Sequence, residues 1–525
     1  MCFRLFISLT AMSFLWVGSQ IPLYLYGSVL PLIYSDLGGA NGRYLWMVIG
    51  YLIPVSALCP FVGALSDLFG RRPVAMFGQL LLIIGPIVVA TAHKMNTAIG
   101  GMVLSGLGAG LNELIALAGT SELVPVRKRG LYVGLVVFTI LPFCPSALWA
   151  QLIAKDSSWR WVGMLVCIWN FVGLLLVAFF YKDPARNVPV RPRKEILGEV
   201  DYIGGLLSTA GVICFMMGMQ WGAAQYKWKS VHVLVPFFIG VALIISFFVW
   251  ETFAPHPMCP RALFSKDKRT MVLILFITFL SGGNFFAMLL FWPTQVYKMY
   301  GPNPVGAGIR TLPIGFGIIG GAVIALVLIA VTKGRTTILM IFWTSLMTAF
   351  VGAVSVANLN NLHPTVFAIV TLASIGVGAV IIPCSIIAQI VAPTNLIGTI
   401  TAITLSIRYI GGAIGFTVYY NLFYHKFFKL AQTVGYDLAV EGYSYNITTL
   451  TTLVTLAADS EYAVLKNYIA TEPTVLKKAT AYDAVIHGVE QTFVFAYRWP
   501  YWVSIAFGGA CVLCSFGLRD VRKFM

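Results

Sequence analysis

The chain has 525 residues, 59% of them hydrophobic and only 10% charged, with a mean hydropathy of +0.86. No soluble globule buries that much apolar surface, so a polytopic membrane protein is expected. The net charge of +16 does not signal nucleic-acid binding, because the basic residues fall in short segments between apolar runs.

Fourteen apolar segments approach the ~20 residues that a helix needs to cross a bilayer. They are 10–34, 44–66, 73–92, 98–120, 131–154, 159–181, 201–222, 231–253, 270–295, 306–331, 337–357, 364–391, 398–424 and 499–519. None shows the period-two alternation of a barrel strand, so all are read as helices. Residues 5–17, behind Arg4, resemble a signal peptide, but the apolar run continues to Tyr34 and makes a first span instead.

Spans 2 and 3 are joined by Gly63-Ala64-Leu65-Ser66-Asp67-Leu68-Phe69-Gly70-Arg71-Arg72-Pro73. Gly63 removes a side chain where two helices could meet, and Gly70 permits a positive φ. Asp67 puts a carboxylate at the membrane edge, where a helix N-terminus or an arginine can pair with it. Arg71 and Arg72 mark the basic side, and Pro73 suits the first turn of a helix. Further basic residues at 127–129, in the polar linker 182–200 and between spans 8 and 9 fall on the same side. That side is read as cytoplasmic, with both termini on it.

Span 4 contains Ser105-Gly106-Leu107-Gly108-Ala109, and span 12 contains Ser374-Ile375-Gly376-Val377-Gly378-Ala379. Their matching order suggests two related halves, spans 1–6 and 9–14, with spans 7 and 8 inserted. The domains expected are a six-helix bundle over 1–181, the linker 182–200, the inserted pair over 201–253, and a second bundle over 270–525. The second includes a long extracellular loop, 425–498, in which Asn446-Ile447-Thr448 is a glycosylation acceptor pattern. Of the nine cysteines most lie inside spans, including Cys511-x-x-Cys514, which reads as packing rather than a disulfide or metal site.

The turn pattern Gly-x-Leu-x-Asp-x-x-Gly-Arg-Arg resembles the loop between helices 2 and 3 of the major facilitator superfamily. Trp250-Glu251-Thr252-Phe253, Pro257-Met258-Cys259-Pro260 and Leu263-Phe264 resemble the end of helix 8 in its fourteen-span members. Several stretches resemble the fungal trichothecene efflux pump branch, which also contains siderophore-iron transporters. They are Trp16-Val17-Gly18-Ser19-Gln20, Gly108-Ala109-Gly110-Leu111-Asn112-Glu113-Leu114, Met219-Gln220-Trp221-Gly222, Phe291-Trp292-Pro293-Thr294-Gln295, and Leu405-Ser406-Ile407-Arg408 with Gly411-Gly412. The fold implied is an all-α major facilitator fold, two six-helix bundles plus two inserted helices. The sequence departs from the wider superfamily at Met102, where many members carry an arginine, and at Leu141-Pro142-Phe143-Cys144-Pro145-Ser146 in span 5.

The resemblance implies that spans 1, 4, 9 and 12 line a substrate cavity. Span 1 offers Gln20, Tyr24 and Tyr26, and span 4 offers Asn112. Span 9 offers Asn284, Phe285, Phe286, Trp292 and Gln295, and span 12 offers Ser385 and Gln389. Aromatic rings and neutral amides suit a bulky, mostly apolar ligand with scattered oxygens, although each aromatic alone could simply pack or face lipid. Glu113 lies ~6 Å from the midplane of span 4 at 1.5 Å per residue. A charge there costs at least ~2.5 kcal/mol, so Glu113 reads as a proton carrier or as a carboxyl paired for structure. Arg408, in span 13, reads as a ligand for anionic groups, a partner for a carboxylate, or a side chain snorkelling to the membrane edge.

No phosphate-cradling loop, metal-ligand spacing or catalytic constellation is found, so neither enzyme chemistry nor a cofactor is expected. The function expected is secondary active transport: proton-coupled efflux of a toxin, drug or secondary metabolite. The alternatives are siderophore-iron import by proton symport and, in another class, a non-transporting membrane receptor. The partners expected are a small-molecule substrate, protons and lipid, in a monomer at the plasma membrane or a vacuolar or vesicular membrane. The topology is directly testable. A tag after residue 525 should stay protected from labelling in intact cells and a tag within 425–498 should be labelled; a labelled C-terminal tag overturns this orientation.

Overall fold

The structure is a computed structural model that describes residues 3–38, 43–124, 129–182, 201–224, 226–301, 303–393, 396–458 and 462–524. Among these the regular structure is entirely helical. Fourteen helices are long and apolar enough to cross a membrane. We label them α1 (Leu5–Ser28), α2 (Leu45–Gly63), α3 (Arg71–Ala90), α4 (Met95–Leu123), α5 (Leu131–Asp156), α6 (Trp159–Phe180) and α7 (Tyr202–Gly222), followed by α8 (Val231–Phe253), α9 (Lys268–Met299), α10 (Pro304–Val331), α11 (Thr336–Val356), α12 (Leu362–Val391), α13 (Ile397–Val440) and α14 (Lys478–Phe516). The face that carries Arg71 and Arg72 is called basic below, and the opposite face distal.

The helices sort by how much of each is buried. In α4, 83% of the most apolar stretch is buried, against 11% in α8, so α4 is central and α8 peripheral. Helix α4 packs on α1, α2 and α3, and α12 packs on α9, α10 and α11. The paired glycines found by sequence make this possible. A methyl group at Gly106 would collide with the carbonyl of Tyr51 on α2, and one at Gly108 with the carbonyl of Gly78 on α3. In the second half Gly376 meets the backbone of Met347 on α11 and Gly378 that of Ile318 on α10. Small residues let helix backbones approach where no hydrophobic force drives them together. Helices α7 and α8 pair with each other, and α7 leans on α2 and α13.

Three expectations are corrected. The eleven-residue turn shrinks: the helix of α2 continues through Phe69, and Gly70, at φ 89°, makes the reversal. Gly63 therefore lies within a helix, and a Cβ there would meet nothing within 4 Å, so it marks no close approach. Span 5 is not one helix. It runs as Arg129–Phe138, a tight turn at Leu141–Phe143, and Ser146–Asp156, because Pro142 and Pro145 cannot donate to the helical ladder.

Nor is 425–498 a loose loop. Helix α13 has 44 residues and α14 has 39, so both run far past the ~30 Å apolar core of a bilayer. The short helices Ile447–Ala458 and Tyr462–Thr471 pack between their extensions. An aromatic ladder joins the extensions, with Phe427 stacked on Phe493 at 4.6 Å and Phe423 against Tyr497 at 4.4 Å. Asn446 is exposed, and its side-chain oxygen accepts from the Thr448 amide at 3.0 Å at the start of a short helix. Most of the linker 182–200, from residue 183 on, lies outside the described residues.

On the distal face Asp36, just beyond α1, accepts from Arg160 at 2.5 Å and from the indole of Trp159 at 3.0 Å. Arg160 also donates to the Ala92 carbonyl, so one side chain ties the ends of α1, α3 and α6. The hydrogen bond from Arg160 holds the Asp36 carboxyl below its ordinary value. A depressed value means that the pair stabilises the fold fully above the unfolded carboxyl's pKa, near ~3.9, and loses that effect as pH falls through the folded value. Both groups are partly exposed, so the effect is less than ~1 kcal/mol. Asp36→Asn should lower the thermal midpoint slightly at pH 6–8, with the gap from wild type closing below about pH 4; a gap that persists there contradicts the assignment.

Candidate functional site

At the centre of the molecule α4 and α13 are joined by an ion pair. Arg408 reaches a carboxylate oxygen of Glu113 at 2.5 Å, and Tyr409 donates its hydroxyl to the other oxygen at 2.6 Å. Glu113 is 1% exposed and Arg408 lies 4.9 Å from the Tyr409 ring centre. The residues are adjacent on α13, so one turn of helix delivers both donors to one carboxylate. Arg408 does not snorkel; it turns inward to its partner.

The pair forms the polar corner of a closed cavity of about 80 Å³. At ~30 Å³ per water, that is room for two or three waters. Gln20 and Tyr24 of α1 line the same space, hydrogen-bonded to each other at 3.2 Å. The rest of the wall is mostly apolar: Trp16, on the same face of α1, with Phe285, Ile314 and the broken part of α5, from Ile140 to Ala147. Interrupted helices are where backbone groups come free to line a cavity, so the proline-rich departure in span 5 marked this wall. Helix α9 is interrupted too, by a wide π-turn over Ala287–Phe291 just before Pro293, which also lines the cavity.

Of the residues expected to line the cavity, Gln20, Tyr24, Phe285, Glu113 and Arg408 do so. The others turn elsewhere. Asn112 packs on α3, its amide donating to the Ala75 carbonyl at 3.0 Å and accepting from the Gln79 amide at 3.1 Å. Trp292 is fully buried and donates to the Arg310 carbonyl at 3.0 Å. Gln295 accepts from Tyr501 at 2.8 Å, and Asn284 accepts from Tyr419 at 3.0 Å. Phe286 packs against Tyr409, Tyr26 bonds the Pro86 carbonyl, and Ser385 meets Thr404. Most of these polar groups bond a neighbouring helix, as the lack of water in a bilayer favours, although the Asn284 amide nitrogen is buried without a partner. Met102, where many superfamily members carry arginine, is buried with 1% exposed.

Both ends of the cavity are closed by hydrogen bonds between the first and second halves. Toward the basic face Ser121 of α4 meets Gln389 of α12 at 3.3 Å, and Gln389 donates to Thr401 of α13 at 2.9 Å. Near the middle Ser406 donates to the Ser56 carbonyl at 2.6 Å. On the distal side the hydroxyls of Tyr44 and Tyr420 lie 2.8 Å apart, and Lys298 donates to Tyr34 at 2.9 Å. Between these, Leu290 of α9 packs against Gly27 of α1.

The arginine turn stays within the first half. Arg71 is 6% exposed and pairs with Glu122 at the end of α4, next to Ser121; Arg72 donates to the Ala178 carbonyl of α6. The side chain of Asp67 lies outside the described residues. Sequence reading missed Glu122 and Tyr409. Glu122 was legible as the lone acid at the end of span 4, level with the arginines, and Tyr409 as the neighbour of a buried arginine.

The family model described as fungal trichothecene efflux pump (TRI12) matches residues 1–525. The chain is 25% identical over 537 aligned residues to the trichothecene efflux pump TRI12 of Fusarium sporotrichioides, covering 99% of this chain and 87% of that one. It is 32% identical over 295 residues to the MFS-type transporter pydD of an Acremonium species, covering 54% of this chain, and it spans 50% of that relative's length. Among solved structures it is similar to the proton:xylose symporter XylE bound to 6-bromo-6-deoxy-D-glucose, with a TM-score of 0.57, 12% identity and coverage of 97% and 94% of the two chains. Fourteen apolar helices and a whole-chain match together show an integral membrane protein that belongs to the fungal trichothecene efflux pump family of major facilitator transporters.

Proposed function

We propose that this chain is a proton-coupled efflux transporter for a bulky, mostly apolar small molecule, and that Glu113 carries the coupling proton. The two moving parts are residues 1–181 and 270–525, with 201–253 as a peripheral pair, and the basic face is inward. The observation that carries this reading is the buried Glu113–Arg408 pair, which joins one half to the other at the centre of the membrane.

The chemistry follows from the burial. An ionised carboxylate and a guanidinium in a dry site hold each other, because separating them exposes two unpaired charges to a low dielectric. Protonating Glu113 removes that constraint: Arg408 loses its counter-charge, and the halves can part. A ligand oxygen entering beside Gln20 and Tyr24 can then take up the Arg408 donors. Efflux accords with the family, and the apolar wall accords with a ligand of few charges.

Glu113→Gln preserves shape and hydrogen bonding but cannot titrate. In proteoliposomes with an imposed pH gradient it should lower accumulation of a transported toxin about tenfold or more, equivalent to about 1.4 kcal/mol. Binding of the same compound should change little. Unchanged gradient-driven transport would place the proton path elsewhere.

The pair also makes a stability prediction. Arg408→Met leaves Glu113 buried without its counter-charge and should cost ~3–5 kcal/mol, seen as poor expression and a lower melting temperature. Adding Glu113→Gln should recover most of that loss while transport stays absent. If the double variant is no more stable than Arg408→Met, the two residues are not coupled.

A further inference from the structure

A second cavity lies on the distal side of the central one. It runs from Gly27, at the end of α1, to Tyr34 in the short helix Leu30–Leu37 and along α9 from Leu290 to Lys298, and its volume is about 460 Å³. The central cavity's about 80 Å³ cannot admit a drug-sized molecule in this state, whereas ligand pockets commonly hold ~300–1,000 Å³. The distal cavity is of that size.

Its walls are built of rings. Phe291, Phe416, Tyr420, Phe423, Phe427 and Tyr497 all face it, and Phe291 and Phe416 pack edge to face at 5.4 Å. The extensions of α13 and α14 and the helix Ile447–Ala458 form its outer wall through Phe427, Phe493 and Val454. Among the described lining residues there is no carboxylate; the Lys298 ammonium lines the cavity but donates to the Tyr34 hydroxyl at 2.9 Å and to the Ala458 carbonyl, and the hydroxyls of Tyr34, Tyr44 and Tyr420 belong to the wall. Leu290 against Gly27, with the Tyr44–Tyr420 bond, separates the two cavities.

We infer that the distal cavity is a second binding site, taking a neutral, ring-containing organic molecule that offers oxygen acceptors to the tyrosine hydroxyls, and that a transported molecule pauses there after leaving the central cavity. Ring faces bind flat apolar ligands by area and by quadrupole geometry, which selects shape loosely and admits a class of molecules rather than one. The long extensions of α13 and α14 then have a role: they raise the walls of this site beyond the membrane. The inference rests on the chain being a transporter of organic molecules. Its test reads binding alone, without a gradient, so it can fail independently of the coupling scheme.

The probe is benzophenone, a neutral diaryl ketone that inserts into C–H bonds on irradiation. The full chain in lipid nanodiscs is irradiated over a series of probe concentrations, and labelled peptides are mapped by mass spectrometry. Label within 416–428 and 493–497 should saturate, while label on the lipid-facing α8 rises in proportion to concentration. Thr455→Trp fills the cavity from the short outer helix and should cut the saturable label about tenfold, the equivalent of about 1.4 kcal/mol. Phe493→Ala removes a ring from the wall and should lower it as well. The inference is overturned by label proportional to concentration in every segment, by saturable label confined to the central cavity, or by saturable label that neither distal variant alters.

Discussion

A bilayer core contains no water to solvate a charge, and the architecture at the centre of this molecule follows from that constraint. Glu113 sits on the most buried helix, so its carboxylate must find a counter-charge inside the protein. The partner comes from α13, in the other half of the chain. One electrostatic requirement therefore fixes which helices face each other across the cavity. It also fixes the register of α13, because Arg408 and Tyr409 must both reach the same carboxylate.

The same absence of water explains why so many polar side chains turned away from the cavity. Asn112, Trp292, Gln295 and Asn284 each sit on helices that approach the cavity, yet each spends its hydrogen bonds on a neighbouring helix. The cavity lining is polar at Gln20, Tyr24 and the ion pair and at the hydroxyls of Ser28, Ser146 and Thr311, of which Ser28 and Thr311 bond carbonyls of their own helices, and it is apolar over most of the rest. Such a surface orients a ligand by one contact and otherwise accepts it by shape, which suits varied apolar compounds better than a sugar or an amino acid.

The spans and their number were legible in the sequence because they rest on hydropathy. Helix ends beyond the membrane were not. Past residue 424, α13 loses the apolar content of a span but keeps its helical course, and only Phe423, Phe427 and Phe428 betray a continuing packed face. Span 5 read as a poor signature, when its prolines in fact mark a broken helix at the cavity wall. Which face of a helix a polar residue occupies was the least legible feature. Asn112 and Glu113 are adjacent, yet a rotation of about 100° per residue sends one to α3 and the other to the cavity. Sequence places both at the right depth and leaves their direction undetermined.

The bridges between the halves are unequal. The basic-side link, Ser121 to Gln389, and the distal Tyr44 to Tyr420 link are bonds between neutral groups. Each contributes a net ~0.5–1.5 kcal/mol, which thermal motion breaks readily. The central link joins opposite charges out of water, and parting them unprotonated costs several times more. Either end can therefore open briefly while the centre holds, but the two halves cannot rock past each other until the centre is neutralised or its arginine is given another acceptor. On the distal side Lys298 adds one charged donor, to Tyr34, so the gates are mostly neutral, and under the proposed coupling the charged central pair is the step that senses protons and ligand. Reversing the order, with charged gates and a neutral centre, would leave substrate free to leak whenever the centre opened.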